Sequence, residues 1–320
     1  MLKYYRMKIL KIIIIFAFLF LIFYLLYLLS PTSLSGDKTR FVIPLDTPRE
    51  KIIADLKSQN FIRSPIVFSL ILTLKGPGKD LRPGSYMIAH NMNIFDLSET
   101  LLNKPYQVWI VLIPGLRVEQ TAEKLAKNLN WTEADKQKYL SVAEEGYMFP
   151  DTYLINTDYT PEEVAHRLIS NFNEKFDRKL QMDLLSQDVR NDTAIKIASL
   201  IERESGTLED KALIAGIIWN RLNEDMKLQI DATIQYIIGK EDNWWPIVKG
   251  KDLKIDSPYN TYIYKGLPPG PIASPSLDSI KAAVYPEETD CFYYLHSPDM
   301  KIHCSKTYEE HLQNIEKYLR

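Results

Sequence analysis

The chain has 320 residues, with 39 Lys and Arg against 41 Asp and Glu, for a formal net charge of −2. That length supports a sizeable core and two domains rather than one. The near balance of charge excludes a broad nucleic-acid surface, which needs a strong basic excess.

The first thirty residues stand apart. Ile12 to Leu29 is an unbroken apolar and aromatic run of 18 residues. As a helix rising ~1.5 Å per residue it is ~27 Å long, close to the ~30 Å hydrocarbon core of a bilayer. Lys3, Arg6, Lys8 and Lys11 precede the run, and Pro31 follows it. The positive-inside rule then puts residues 1–11 in the cytoplasm, a single transmembrane helix over 12–30, and the rest outside the cytoplasmic membrane. The alternative is a cleaved signal peptide, with Ser33-Leu34-Ser35 as a faint cleavage signal. Apolar regions of signal peptides run to roughly 7–15 residues, so the bulk and length here read as an uncleaved anchor. No cysteine follows the run, which argues against a lipoprotein.

Residues 31–40 are small and polar and read as a linker. In the next unit, 41–105, Phe41-Val42-Ile43-Pro44 predicts a strand and Pro48 to Gln59 a helix. Ser64 to Leu74 predicts a second helix, and Gly76-Pro77-Gly78 a turn. Pro83 to Ile88 reads as a turn into a strand, and Ile94 to Leu102 as a short helix. Strand and helix mixed over this length predict a small α+β module.

Residues 106–320 read as a second α+β domain. Val108 to Pro114 is strand-like and Val118 to Leu129 helical. Several amphipathic helices follow, then an aromatic-rich irregular stretch from Trp244 to Pro275. A terminal hairpin, Phe292 to Ser305, turns at Ser297-Pro298-Asp299-Met300. The only cysteines, Cys291 and Cys304, flank that hairpin. An oxidising compartment permits a disulfide between them, but a register shift of one or two residues would leave two small half-buried side chains instead.

The most informative helix runs from Thr193 to Ser205, with Asp192 as the expected N-cap and Gly206 as the stop. At 100° per residue Ile197, Leu200 and Ile201 share one face, and Glu204 falls in the middle of it. Glu202 and Arg203 point away. A carboxyl on an apolar face, at the negative end of a helix dipole, is doubly disfavoured as an anion. A carboxyl kept protonated near neutral pH is what general acid catalysis requires. The alternative is a helix-end Glu204 that turns to solvent or pairs with Arg221 or Lys211.

Further on, Leu228 to Tyr236 begins with alternating apolar and polar residues, as in a half-buried strand or extended segment, which puts Gln229 and Asp231 on one face. Such side chains suit sugar hydroxyls, and equally a solvated strand face. Ser257 to Tyr262 and Gly266 to Ile272 carry enough proline and glycine to fix an ordered loop. Tyrosines there, and Trp244-Trp245, offer flat faces for sugar rings or for a core. His296, His303 and His311 lie near Cys304, but no pair has a standard zinc-ligand spacing. No nucleophile elbow, phosphate-binding glycine loop or dinucleotide fingerprint is present.

With these residues laid out, the chain resembles the endolytic murein transglycosylase, or YceG-like, family. The motifs are Leu81-Arg82-Pro83-Gly84-Ser85-Tyr86; Ile113-Pro114-Gly115-Leu116 with Glu119 and Ala122; Glu145-Gly146-Tyr147-Met148-Phe149-Pro150-Asp151-Thr152-Tyr153; Ala198 to Glu204; Asn220-Arg221-Leu222; Leu228-Gln229-Ile230-Asp231; Tyr259-Asn260-Thr261-Tyr262; and Gly266 to Ile272. Ala232 departs from a common proline, and Cys304 from a common aromatic.

The resemblance implies an α+β protein with a membrane helix, a LysM-like small domain over 41–105 and a YceG-like catalytic domain over 106–320. It implies cleavage of the N-acetylmuramic acid–β-1,4–N-acetylglucosamine bond of peptidoglycan, with a 1,6-anhydro product. Glu204 maps onto the catalytic acid, and Gln229, Asp231, Tyr259 and Asn260 become the expected substrate-binding residues. No metal or organic cofactor is implied. The implied partners are peptidoglycan glycan strands, the cytoplasmic membrane, and peptidoglycan synthases or the division or elongation machinery, with a role in terminating nascent strands. Two rivals remain at this stage: a muramidase hydrolysing with a Glu204–Asp231 pair, and a non-catalytic wall-binding protein.

Overall fold

The structure is a computed structural model, and it describes residues 2–76 and 80–319. Most of the expected Gly76-Pro77-Gly78 turn lies outside the described residues. The chain forms two compact units, Met1–Trp109 with Leu154–Asp158, and Ile110–Tyr153 with Tyr159–Arg320.

The first unit opens with α1 (Leu2–Leu29). Its stretch Tyr5–Leu29 is long and apolar enough to cross a membrane, and none of it is buried within the protein. The helix begins ten residues before the apolar run because Lys and Arg are good helix formers and Pro31 lies beyond its other end. Then come β1 (Thr39–Ile43), α2 (Arg49–Ser58), α3 (Pro65–Leu74), β2 (Gly84–Ile88) and α4 (Ile94–Leu102). Ser64 caps α3 by accepting from the Val67 N–H, with Pro65 at the first helical position. Two further strands, β3 (Gln107–Val111) and β4 (Thr152–Asn156), complete a sheet of order β1-β2-β3-β4, and each passes from one unit into the other.

The β1–β2 pair is antiparallel, with Phe41 opposite Tyr86 and Ile43 opposite Gly84; Ser85 stands opposite Gln107 of β3. Gly84 adopts φ +146°, and a Cβ there would lie 2.6 Å from the Gln107 carbonyl oxygen. Only glycine fits, which gives the Pro83-Gly84-Ser85-Tyr86 motif a physical reason. Tyr86 is buried and its hydroxyl donates to the Arg82 carbonyl at 2.9 Å. Phe41, Leu56, Phe68, Ile88, Leu97 and Leu101 form the core.

The second unit is mainly helical. It contains α5 (Val118–Leu129), α6 (Glu133–Val142), α7 (Pro161–Lys175), α8 (Arg178–Ser186), α9 (Asn191–Glu204), α10 (Asp210–Asn223) and α11 (Asp231–Ile238). A short 3-10 turn (Asp252–Lys254), α12 (Leu277–Val284), the hairpin β5 (Tyr293–His296) and β6 (Ile302–Ser305), and α13 (Tyr308–Leu319) follow. Helix α9 is central and packs against α8, α10, α11 and α12. Ile197, Ala198, Leu200 and Ile201 are fully buried, so the hydrophobic effect fixes the rotation of α9.

Four features differ from the sequence expectation or extend it. Helix α9 starts at Asn191, with Arg190 rather than Asp192 at the cap. Asp192 sits in the first turn, paired with Arg190 at 2.9 Å and Lys196 at 3.4 Å, where a carboxylate also meets the positive end of the dipole. The stretch Leu228 to Tyr236 is not a strand. Its alternation lasts four residues, with Leu228 and Ile230 buried and Gln229 and Asp231 exposed, after which Ala232, Thr233 and Ile234 are buried in succession on α11. Helix α13 has no sequence forecast; it buries no residue fully, although Tyr308, Leu312, Ile315 and Leu319 recur at helical spacing.

The fourth feature is a Cys291–Cys304 disulfide, with Cα atoms 5.8 Å apart. It ties the segment before β5 to β6, where the Phe292 N–H also donates to the Ser305 carbonyl at 2.9 Å. Closing a loop of this length contributes about 3 kcal/mol in the chain-entropy picture. A Cys304→Ser variant is expected to lower the unfolding free energy by about that much, read as a lower urea midpoint under oxidising conditions.

Candidate active site

Glu204 is the last residue of α9, where the buried Ile197–Leu200–Ile201 face runs out into a cavity of about 470 Å³. Gln229, Asp231, Arg221, Tyr262, Tyr293 and Tyr294 line the same cavity, with Tyr308 and His311 from α13. The Tyr294 hydroxyl donates to Glu204 Oε2 at 2.7 Å. The Ala232 backbone N–H, in the first turn of α11, favours the ionised form of the carboxyl.

Burial, and then the negative charge of Asp231, push the Glu204 pKa up. The bond from Tyr294, the Ala232 N–H dipole and nearby His296 work in the opposite direction without reversing it. Neither Arg221 nor Lys211 forms an ion pair with Glu204 among the described residues. Arg221 braces main chain instead, donating to the carbonyls of Phe292 at 2.6 Å and Leu228 at 2.7 Å.

Two residues earlier, Glu202 meets the opposite environment. It pairs with Lys211 at 3.0 Å, and accepts from the Ser276 and Ser279 hydroxyls at 2.5 and 2.6 Å and from the Ser276 N–H at 2.9 Å. Burial alone would raise its pKa, but these serine bonds, with Lys211, hold it below the usual carboxylate range. Two residues apart in the last turn of one helix, one carboxyl is thus pushed toward the ionised form and the other toward the protonated form. That separation is the pattern by which acid and anion roles are assigned.

Of the other expected site residues, Gln229 and Asp231 share the cavity with Glu204. Gln229 is exposed and has φ +51°, held by its N–H to the Thr261 carbonyl at 3.1 Å. Asp231 Oδ1 accepts from the Tyr262 hydroxyl at 2.5 Å. Asn260 and Tyr259 are placed elsewhere. Asn260 is fully buried; its amide donates to the carbonyls of Leu253 at 3.0 Å and Ile255 at 2.8 Å, and its Oδ1 accepts from the Tyr262 N–H at 2.9 Å. Tyr259 packs on Tyr236 with ring centroids 5.0 Å apart. Both hold the loop that presents Tyr262.

The tryptophans do not stand free. Trp245 carries the Arg203 guanidinium 3.8 Å from its ring centroid, and Trp244 carries Arg117 at 4.9 Å. Among the histidines, His296 Nε2 lies 3.1 Å from Asp210, and His303 Nε2 lies 2.9 Å from the Ser297 hydroxyl. No group of three His, Cys, Asp or Glu among the described residues is arranged to hold a metal ion.

Sequence reasoning missed Tyr294, and carried Glu145 only as part of a motif without a role. Tyr294 is separated from Glu204 by 90 positions, and only its alternation with His296 on β5 hinted at a shared face. Glu145 accepts from the Val118 N–H at 3.3 Å through Oε2, while Oε1 is shut off from solvent with no partner. Burial, and then Glu119, push its pKa up to about 8. The following Gly146, at φ +86°, lies where a Cβ would meet Pro271 at 2.6 Å, so this motif packs against the Gly270-Pro271-Ile272 loop.

Removing the Tyr294 hydroxyl should raise the Glu204 pKa further, because the lost bond favours the ionised form. Tyr294→Phe is expected to lower kcat/KM about ten- to a hundredfold by freeing the carboxyl's rotation. The alkaline limb of the pH–rate profile should move to higher pH.

A profile of the YceG-like family matches residues 41–317. The chain is 29% identical to a Bacillus subtilis (strain 168) protein named endolytic murein transglycosylase, over 91% of this chain and 88% of that one. It is 27% identical to a Streptococcus pneumoniae D39 protein of the same name over 92% of its own length, and spans 61% of that longer relative. Among solved structures, a yceG-like protein of Listeria monocytogenes superposes with a TM-score of 0.63 at 26% identity, covering 87% of this chain and 98% of the other. The residues 41–317, Gly84 and Glu204 among them, place this chain in the YceG-like family.

Proposed function

We propose that the protein is an endolytic lytic transglycosylase that cleaves the N-acetylmuramic acid–β-1,4–N-acetylglucosamine bond within peptidoglycan strands, with Glu204 as acid and then base. The observation that carries it is a carboxyl whose pKa is pushed up by burial, on a tyrosine-lined cavity and held by Tyr294, in a chain similar over nine-tenths of its length to proteins of that name. Glu204 gives its proton to the glycosidic oxygen as the bond to the anomeric carbon breaks. The resulting carboxylate then takes the proton of the muramic acid C6 hydroxyl, whose oxygen attacks the anomeric carbon. The 1,6-anhydro ring closes, Glu204 is protonated again, and no water is consumed. One carboxyl therefore serves where most glycosidases use two. Gln229 and Asp231 contact the sugar, and Tyr259 and Asn260 act through the loop.

Helix α1 anchors the chain with its N-terminus in the cytoplasm, and residues 31–40 link it to a LysM-like domain over 41–105 that sets the working distance of the catalytic domain 106–320. Cleavage within nascent strands beside synthases would end their elongation. Uncrosslinked glycan strands incubated with the full chain test the endolytic part. Mid-length products at early times are expected, and disaccharides released from the ends from the start would sink it. The second reading, hydrolysis by water with Asp231 as partner, is favoured by one observation, that Asp231 lines the same cavity.

A further inference from the structure

We propose that the first unit carries a binding site for the phosphate headgroup of an anionic phospholipid, set against the outer end of α1. It rests on the reading of α1 as a membrane span. A cavity of about 640 Å³ lies between the last turns of α1, at Tyr24 and Tyr27, and a wall carrying Lys57, Arg63 and His90. No Asp or Glu lines it. Neither Lys57 nor Arg63 pairs with a carboxylate among the described residues.

The wall is held in place rather than floating. Arg63 donates to the Tyr27 hydroxyl at 2.9 Å, the Pro31 carbonyl at 2.5 Å and the Ser30 hydroxyl at 3.3 Å, with its guanidinium 4.1 Å over the Tyr27 ring. The Lys57 ammonium donates to the Arg63 main-chain carbonyl at 2.9 Å, and both side chains line the cavity. His90 stacks on Phe61 with centroids 4.4 Å apart, and its carbonyl accepts from the Ser33 N–H at 3.1 Å.

The level of the cavity selects its occupant. Tyr24 to Leu29 covers the last ~8 Å of α1. Tyrosines at the end of a span mark the membrane interface, and the headgroup layer is roughly 5–7 Å thick on each side. The cavity therefore opens at phosphate depth. Two cations without a counter-charge attract a net negative headgroup, and repel the ammonium of a zwitterionic one.

Native mass spectrometry of the full chain in detergent tests this, with phosphatidylglycerol and phosphatidylcholine of matched acyl chains titrated in turn. Phosphatidylglycerol is expected to bind about tenfold or more tightly. Lys57→Gln should weaken it about fivefold, Lys57→Gln with Arg63→Gln about thirtyfold, and Lys57→Arg hardly at all. Lys57 is exposed, so its single variants should fold as the parent does. Equal binding of the two lipids, an unchanged affinity in Lys57→Gln, or displacement of the lipid by millimolar inorganic phosphate would overturn the proposal. The intact mass separates the underlying reading: a chain lacking its first thirty residues before lipid is added points to a cleaved signal, and refutes the anchor itself.

Discussion

Glu204→Gln is expected to lower glycan cleavage by about 10²–10⁴-fold while leaving the fold intact. The amide has the size of the carboxyl, can accept from Tyr294 Oη, and cannot give a proton to a leaving oxygen. Stability should rise rather than fall, since the variant no longer places an ionisable group between Asp231 and the buried end of α9. The informative comparison is Glu202→Gln. That change removes a carboxylate bound by Lys211, Ser276 and Ser279 and should destabilise the protein, with loss of activity following loss of structure. Parallel thermal melts and turnover assays separate the two: an inactive, stable Glu204→Gln against a destabilised Glu202→Gln. A Glu204→Gln chain that cuts at the normal rate removes the acid from the mechanism.

The second large effect concerns Glu145. Its folded pKa of about 8 lies above the ordinary carboxyl value of 4.5. Below pH 4.5 the group is protonated in both states. Between 4.5 and 8 only the folded state holds the proton, so stability falls as pH rises, with a slope of about 1.4 kcal/mol per pH unit from this group. Above 8 both states are ionised and the slope vanishes. Gln mimics the protonated form, keeping an acceptor for the Val118 N–H and a donor at the unpartnered Oε1 position. Glu145→Gln is therefore expected to be more stable than the parent by about 3 kcal/mol at pH 7 and nearly equal to it at pH 4. Urea titrations at pH 4, 6 and 8 measure this; a constant difference between the two proteins across that range would contradict it.

What the sequence made legible follows from locality. Helix α9 and the placement of Glu204 were readable because Ile197, Leu200 and Ile201 repeat at helical spacing within one element. The strand-turn character of Gly84 was readable because a backbone requirement leaves a local mark. Tyr294 and the Arg221 brace were not, since each joins residues about 70 or more positions apart through the β5–β6 hairpin. Leu228 to Asp231 misled because four alternating residues fit an extended segment and also the entry to a helix, and the Thr261 hydroxyl that fixes Ile230 comes from a distant loop. Asn260 looked like a sugar ligand because amides serve both sugars and main chain; only its complete burial separates the uses. The disulfide depended on hairpin register, which side-chain alternation alone leaves one or two residues uncertain.

The central claim, that Glu204 acts alone as acid and base, is tested most directly by the mass of the new muramic acid ends. Purified peptidoglycan strands are digested with the full chain and the products analysed by mass spectrometry. The account predicts anhydro ends, lighter by one water than the reducing form. Reducing ends, labelled when the reaction is run in ¹⁸O water, would contradict it and make Asp231 a partner in hydrolysis.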